Sequence, residues 1–177
     1  MFIDLLRKRR SIRQFRDRAI EQEKIDTLIE AVLRSPSSRD LNPWEFHVIN
    51  ECSSIEKLSR AKTHGSKFLK NAPLAIVVCA DPAKSDVWIE DTAIASLILH
   101  LTATDLGLGS CWIQIRKREH DDSISAEEYI RNLLGLQKGM VVEAIIAIGY
   151  GAEEKEGHDA AGLLRERIVL ERYSPAP

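Results

Sequence analysis

The chain has 177 residues, a length that fits one domain over residues 1–177. Its formal net charge of −2 favours neither nucleic acid nor an anionic membrane as a partner. No apolar run is long enough to span a bilayer. Three cysteines without Cys-x-x-Cys spacing, and scattered histidines, argue against a disulfide framework and a metal site. The first residues lack the order of a signal peptide, so a cytoplasmic protein is expected.

Helix patterns dominate the start of the chain and do not alternate strictly with strand patterns. They predict, in order, a helix at 1–9, a helix at 21–34, a strand at 44–50 and a helix from 53 to about 62. The second helix has the clearest signal, because its apolar residues recur at i, i+3, i+4, i+7 and i+8 from Ile25. Pro36 ends it. Ser53 and Glu56 have the spacing of a capping box, which predicts the start of the third helix.

The rest of the chain is predicted to hold three strands and two helices, for a total of about five helices and four strands. These are a strand at 72–80, a helix at 86–106, a strand at 110–115, a helix from 125 to 135 and a strand at 140–150. The first of these strands is apolar and β-branched, as strands buried on both faces are. The helix at 86–106 has apolar residues on most sides, which predicts a central buried helix. Ser125 with Glu128 forms a second capping-box pattern. A polar tail follows, with a basic and apolar segment at 163–173.

A basic stretch covers residues 7–18 and includes Arg9, Arg10, Ser11 and Arg13. Guanidinium groups present planar forks of donors that suit phosphate, and a serine hydroxyl adds a neutral donor. Such a set could cage a phosphomonoester. Composition alone supports a solvated charged face equally well. A nucleic-acid surface is disfavoured by the acidic net charge.

Other segments carry weaker chemical signals. The polar loop at 36–44 is either an ordinary turn or a rigid edge for a planar heterocycle. Glycines at 107 and 109 follow a helix rather than a strand, so this segment is not a dinucleotide-binding fingerprint. Cys111 and His100 are predicted to be packed core residues. No side-chain catalytic constellation is predicted.

Five motifs occur in a specific order along the whole chain. They are Arg-Arg-Ser-Ile-Arg at 9–13, Pro-Ser-Ser-Arg-Asp-Leu-Asn-Pro-Trp at 36–44, Asn-Ala-Pro-Leu-Ala-Ile-Val-Val at 71–78, Gly-Leu-Gly-Ser-Cys-Trp-Ile at 107–113 and Ala-Ile-Ile-Ala-Ile-Gly-Tyr-Gly at 144–151. This set resembles the nitroreductase family in its compact form. The resemblance implies an α+β fold with a mixed, mainly antiparallel sheet flanked by helices. It also implies an intertwined homodimer with two FMN sites at its interface, and a tail of about residues 151–177 that wraps the partner subunit.

The resemblance also implies roles for individual residues. Contacts to the FMN phosphate and ribityl chain are implied for Arg9, Arg10, Ser11 and Arg13. The loop from the second subunit would contribute Pro36, Ser37, Ser38 and Asn42. The isoalloxazine face and its N5 edge would be lined by Cys111, Trp112, Ile113 and Gln114. A further cation after the last strand would be Lys155, Arg165 or Arg167. Two residues differ from those that family members often have at these positions. Ionised Asp40 cannot donate a hydrogen bond, and the Gln114 side chain, where many relatives have glycine, would narrow the site.

The activity implied by the resemblance is hydride transfer from NAD(P)H to FMN and then to an oxidised acceptor, such as a nitroaromatic or a quinone. The cofactor carries this chemistry, so no catalytic side chain and no metal are expected. Other flavin chemistry on the same fold, such as dehalogenation or flavin fragmentation, is the first alternative. A non-catalytic flavin-, anion- or nucleic-acid-binding protein is the second.

Overall fold

A computed structural model describes residues 1–171 of the chain. Four strands form one sheet in the spatial order β1-β2-β4-β3, and each neighbouring pair is antiparallel. The strands are β1 (Trp44–Ile49), β2 (Leu74–Ala80), β3 (Gly109–Gln114) and β4 (Val141–Gly149). Because β3 and β1 lie at the ends of this order, each has one edge that no other named strand within residues 1–171 covers.

Residues 1–171 contain five α-helices. They are α1 (Phe2–Lys8), α2 (Gln22–Leu33), α3 (Cys52–Leu58), α4 (Trp88–Asp105) and α5 (Ala126–Leu134). The first of them contacts α4 rather than the sheet. Short 3₁₀ turns occur at Ser38–Asp40, Lys67–Asn71, Ala160–Gly162 and Arg165–Arg167. The predicted α+β class and mainly antiparallel sheet are confirmed. A parallel bridge between Ser11 and Ser110 is added at the free edge of β3.

Strand β2 is the centre of the core, and each of its residues is fully buried. Its alternate side chains enter two different apolar clusters. Val77 lies on the face covered by α3 and α5, and Ile76 lies on the face covered by α2 and α4. The prediction of a strand buried on both faces is therefore confirmed.

The capping box predicted at Ser53 and Glu56 is wrong. Helix α3 begins one residue earlier, and its N-cap is Glu51. The Glu51 carboxylate accepts hydrogen bonds from the main-chain N–H groups of Ser53, at 3.0 Å, and Ser54, at 2.7 Å. One carboxylate thus satisfies two main-chain donors in the first turn of the helix, and the Ser53 hydroxyl that was expected to act as the cap instead donates to this carboxylate at 2.7 Å. Helix α3 also ends at Leu58 rather than near residue 62.

The helix start predicted at Ser125 is confirmed, because its hydroxyl accepts a hydrogen bond from the Glu128 N–H at 3.1 Å. The prediction for α4 needs correction. This helix buries one face against the sheet, while Ile94 and Leu97 remain 41% and 48% exposed. Its apolar residues outnumber those that the sheet of a single chain can cover. Of the basic and apolar segment predicted at 163–173, the last two residues lie outside the described part of the chain.

Candidate functional site

Residues 9–13, the part of the basic stretch that we call the basic segment, lie against the beginning of β3. The Ile12 N–H donates to the Ser110 carbonyl at 2.9 Å, beside the parallel bridge formed by Ser11 and Ser110. Ile12 can approach this closely because Gly109 has no side chain. A Cβ placed on Gly109 would lie only 2.8 Å from the Cβ of Ile12. The free edge of β3 therefore holds the segment that contains the arginines.

The residues that follow β4 hold the other side of this segment. The Glu153 carboxylate accepts from the main-chain N–H groups of Arg13, at 2.5 Å, and Gln14, at 3.2 Å. The first of these hydrogen bonds is the main cause that lowers the pKa of Glu153. The Lys155 ammonium donates to the Ser11 carbonyl at 2.9 Å. The Arg10 guanidinium donates to the main-chain carbonyl of Glu156, the residue after Lys155.

Lys155 is thus the tail cation that the fold brings to the basic segment. Its ammonium lies between Ser11 and Glu153, with 3.2 Å to the Glu153 carboxylate. Arg165 and Arg167 lie in an exposed turn farther along the tail. Within residues 1–171, no hydrogen bond or ion pair joins either arginine to residues 9–13.

The residues present fit a phosphomonoester. Among the described residues, no carboxylate pairs with the side chain of Arg9 or Arg13. The Arg13 guanidinium instead lies over the Phe68 ring, 5.9 Å from its centroid. Both guanidinium groups therefore keep donors for an anion, and the Lys155 ammonium is held at the carbonyl of Ser11, which lies between the two arginines in the chain. Charge-assisted hydrogen bonds from such groups are among the stronger contacts that a protein offers to phosphate.

A buried hydrogen bond fixes Ser110, the residue of β3 that pairs with the basic segment. His100 Nδ1 lies 2.7 Å from the Ser110 hydroxyl, and both residues are buried. Burial lowers the pKa of His100 to about 4, and the nearby charge of Arg9 adds to this shift. The imidazole is therefore neutral at neutral pH. The prediction of a satisfied core histidine is confirmed.

The side chains of β3 alternate between the two faces of the sheet. Ile113 enters one apolar cluster, while Trp112 packs with the other. Cys111, two residues before Ile113 on the strand, lies on the same face as Ile113. Because Ser110 bonds to Ile12 at the free edge, the main chains of Trp112 and Gln114 face that edge as well. A planar ligand along this edge would therefore meet main-chain groups and the side chains of one face, rather than all four predicted side chains.

Cys111 is buried, as the sequence predicts for a small packed residue. Burial raises the pKa of its thiol, and the cations Arg13 and Lys155 and a contact with Ser11 oppose that shift. Its side chain therefore lies beside the basic segment.

The Gln114 carboxamide is engaged inside the protein. Its oxygen accepts from the Trp112 indole N–H at 2.9 Å, and its amide donates to Glu143 Oε1 at 3.1 Å. The expected narrowing of the site by this side chain is accordingly limited. Glu143 is not among the residues predicted from the sequence, although a signal is present there: it is the one charged residue in the apolar run of β4.

The loop between α2 and β1 is rigid but lies apart from the basic segment. The Ser37 hydroxyl donates to Asn42 Oδ1 at 2.8 Å and accepts from the Asn42 N–H at 2.9 Å. The Ser38 N–H donates to buried Asp91 of α4 at 2.8 Å. Among residues 1–171, no hydrogen bond connects Pro36, Ser37, Ser38 or Asn42 with residues 9–13 or with β3. One chain therefore presents the predicted site residues in two separate places.

The Asn42 amide also donates to Asp40 Oδ1 at 3.0 Å. Both residues have left-handed φ angles, 45° and 54°. Asn42 is thus used within the loop, and Asp40 acts as an acceptor there.

The described residues offer neither a cluster of metal ligands nor a membrane-spanning helix. No three His, Cys, Asp or Glu side chains gather there as a metal site would require. None of the helices within residues 1–171 combines the length and apolar character needed to cross a membrane.

Comparison with known proteins extends these findings. The model of the nitroreductase family matches residues 6–63 and 53–150. A protein of Archaeoglobus fulgidus, provisionally named NADH dehydrogenase/NAD(P)H nitroreductase, is 36% identical over 97% of this chain and 98% of its own length. A similarly named protein of Methanothermobacter thermautotrophicus is 33% identical over 97% of this chain and 87% of its own length.

A solved structure shares the fold closely. It is an FMN-dependent nitroreductase from Clostridium difficile R20291, which is 46% identical and superposes with a TM-score of 0.94. The match covers 97% of this chain and 99% of that one. Sequence motifs, family model and fold agree over almost the whole chain. The chain therefore belongs to the nitroreductase family.

Proposed function

We propose that the chain is an FMN-dependent oxidoreductase that transfers hydride from NAD(P)H to an oxidised acceptor, such as a nitroaromatic or a quinone. The observation that carries this proposal is the meeting of Arg9, Arg10, Ser11, Arg13 and Lys155 at the free edge of β3. This set suits the FMN phosphate. The similarity to an FMN-dependent nitroreductase and to proteins with NAD(P)H nitroreductase names supports the same assignment.

Bound FMN would supply the redox chemistry by taking and returning hydride at N5. The protein's own residues bind and orient it. Arg9, Arg13 and Lys155 would hold the phosphate, while the Glu153 carboxylate fixes the main chain of the basic segment and leaves the guanidinium groups available. The main chain of Trp112 and Gln114, which faces the free edge of β3, would line the isoalloxazine.

The complete site would need two subunits. The loop with Pro36, Ser37 and Ser38 lies apart from the basic segment within one chain, which fits a homodimer in which it reaches the partner's flavin. Apolar side chains of Leu97 on α4 and Leu170 in the tail are exposed in the single chain. Their burial between subunits would stabilise such a dimer.

Absorbance of the purified protein tests the assignment first. We expect a yellow protein, or one that becomes yellow with FMN, and bleaching by NADH or NADPH without air. Re-oxidation by a quinone or a nitroaromatic completes the expected cycle. A protein that stays colourless with FMN would refute the proposal. Binding without bleaching would indicate a passive flavoprotein, and bleaching without turnover of these acceptors would favour other flavin chemistry.

Variants then test the phosphate set. Arg13→Ala and Lys155→Ala should each weaken FMN binding by about tenfold or more, because each removes a charged donor. Arg34→Ala is the matched control, since this exposed arginine pairs with a glutamate on α2. Arg167→Ala distinguishes the tail cations. A larger loss with Arg167→Ala than with Lys155→Ala would contradict the assignment of Lys155.

Mixed dimers test the shared site. One variant, Arg9→Ala with Arg13→Ala, removes phosphate donors, and another, Pro36→Trp, blocks the loop from the second subunit. Each alone should retain little FMN. In a mixed dimer one site combines both defects and the other has none, so co-expression should restore about half of the FMN sites in these dimers. No recovery, despite proven mixed dimers, would contradict a site built from two subunits.

A further inference from the structure

Glu143 is a buried charge whose role the phosphate site does not explain. It lies in β4, an inner strand of the sheet, and its exposed fraction is 5%. Burial of an ionised carboxylate is costly unless hydrogen bonds or a counter-charge compensate it. An apolar residue would suit this position better for stability alone. The contacts of Glu143 therefore indicate what it does.

These contacts concentrate on the end of β3. Glu143 Oε1 accepts from the Gln114 amide at 3.1 Å. Its main-chain carbonyl accepts from the N–H groups of Ile115 and Arg116, both at 3.1 Å. One residue thus fixes three successive residues of the neighbouring strand and its extension. The carboxylate lies one hydrogen bond away from the segment expected to face the flavin.

The charge of Glu143 is only partly neutralised. The Arg116 Nε atom lies 3.9 Å from Oε2, which is too far for a hydrogen bond. No donor within residues 1–171 makes a hydrogen bond to buried Oε2. Among these residues, the negative charge on Oε2 is therefore balanced only by the Arg116 guanidinium, without a hydrogen bond. In surroundings of low polarity, its field extends to neighbouring groups.

We propose that Glu143 lowers the reduction potential of FMN bound along β3 and that Arg116 opposes this effect, an inference that rests on the proposed function. NAD(P)H transfers two electrons and one proton to FMN and leaves as NAD(P)⁺, so the bound flavin gains one negative charge. A nearby carboxylate disfavours that added charge, and a nearby guanidinium favours it. The pair would thus set how readily the flavin passes hydride to an acceptor.

For an order of magnitude, we take one unit charge at a separation of about 10 Å from the flavin and an effective dielectric constant of about 20. This interaction corresponds to a change of about tenfold in the ratio of the dissociation constants of oxidised and reduced FMN. For a two-electron couple, a tenfold change equals about 30 mV.

The test measures the midpoint potential of bound FMN by equilibration with redox dyes, together with the dissociation constant of oxidised FMN. Glu143→Gln keeps an oxygen acceptor for the Gln114 amide and removes the charge. We expect its potential to rise by about 30 mV. Arg116→Gln removes the counter-charge and should lower the potential. The double variant should return towards the parent. Glu30→Gln, an exposed site on α2, is the control and should leave the potential unchanged.

The opposite signs separate charge from general disturbance of the fold, because loosened packing would not move the two variants in opposite directions. An unchanged or lowered potential in FMN-bound Glu143→Gln would overturn the inference and leave the proposed function intact. If Glu143→Gln does not fold, Arg116→Gln decides, and a raised or unchanged potential overturns the inference. Failure of the parent protein to bind FMN would instead overturn the proposed function, and this inference with it.

Discussion

Gly109→Ala tests how the basic segment is held. The added Cβ would lie 2.8 Å from Ile12 Cβ and 2.9 Å from Ile12 Cγ2. Carbon atoms normally approach to about 3.5–4.0 Å. Both Cβ positions are fixed by their main chains, so no change of rotamer relieves the contact. The segment from residue 9 to residue 13 must therefore move away from β3, or β3 must deform.

Two losses are expected from this displacement. Overpacking costs about 1–3 kcal/mol of stability, which corresponds to a decrease in Tm of roughly 2–12 °C for a chain of this size. The hydrogen bonds of Ile12 to Ser110 and of Lys155 to Ser11, each 2.9 Å long, would lengthen. If one charge-assisted contact to the FMN phosphate is lost with them, FMN should bind roughly 10- to 100-fold more weakly.

Thermal unfolding and FMN titration by fluorescence measure the two effects. Gly162→Ala is the matched control, because no atom lies within 4 Å of the Cβ it would add. It should leave both quantities near those of the parent. A Gly109→Ala protein with parental Tm and parental FMN affinity would refute the close packing of Ile12 on β3. Lower stability with unchanged affinity would refute the link between this packing and the phosphate site.

Three further predictions concern stability. The folded-state pKa of His100, about 4, lies below the ordinary value of 6.5. The contribution of the neutral imidazole to folding stability is therefore lost as the pH falls from 6.5 to 4. In urea titrations, His100→Asn should remove up to about 3 kcal/mol of this pH dependence. Ser125→Ala removes the cap of α5 and should lower the unfolding free energy by about 1 kcal/mol, whereas Ser123→Ala should not. Hydrogen bonds from Ser53 and Ser54 lower the pKa of Glu51 to about 2, so the Tm difference between the parent and Glu51→Gln should be full above pH 4.5 and vanish as the pH falls towards 2.

Elements with strong local signals could be predicted from the sequence. Helix α2 has an apolar stripe with helical period, and β2 is a short run that is apolar at every position, so each pattern determines its own structure. The cap of α3 could not be chosen correctly, because both Ser53 and Glu51 are able to cap a helix. Which one does so depends on where the chain leaves β1, and that is a tertiary feature.

The tail cation that contacts the basic segment could not be identified from the sequence either. Lys155 and Arg167 are chemically similar candidates, and their spacing after β4 does not reveal the path of the tail. The contact that separates them, between Lys155 and Ser11, joins residues 144 positions apart. The apolar residues on most sides of α4 led to a wrong prediction for a related reason, because composition does not reveal which apolar residues of a helix the rest of its own chain covers.

The basic segment shows why composition alone could not decide between a phosphate site and a solvated face. Its arginines are partly or fully exposed in either case. The difference lies in the main chain, which Glu153 holds through the N–H groups of Arg13 and Gln14. A solvated face has no need of a carboxylate that fixes the backbone beneath its cations. With the backbone held, the guanidinium groups would lose less conformational entropy when an anion binds, so we expect this acidic residue to favour binding of a phosphate although its own charge repels one.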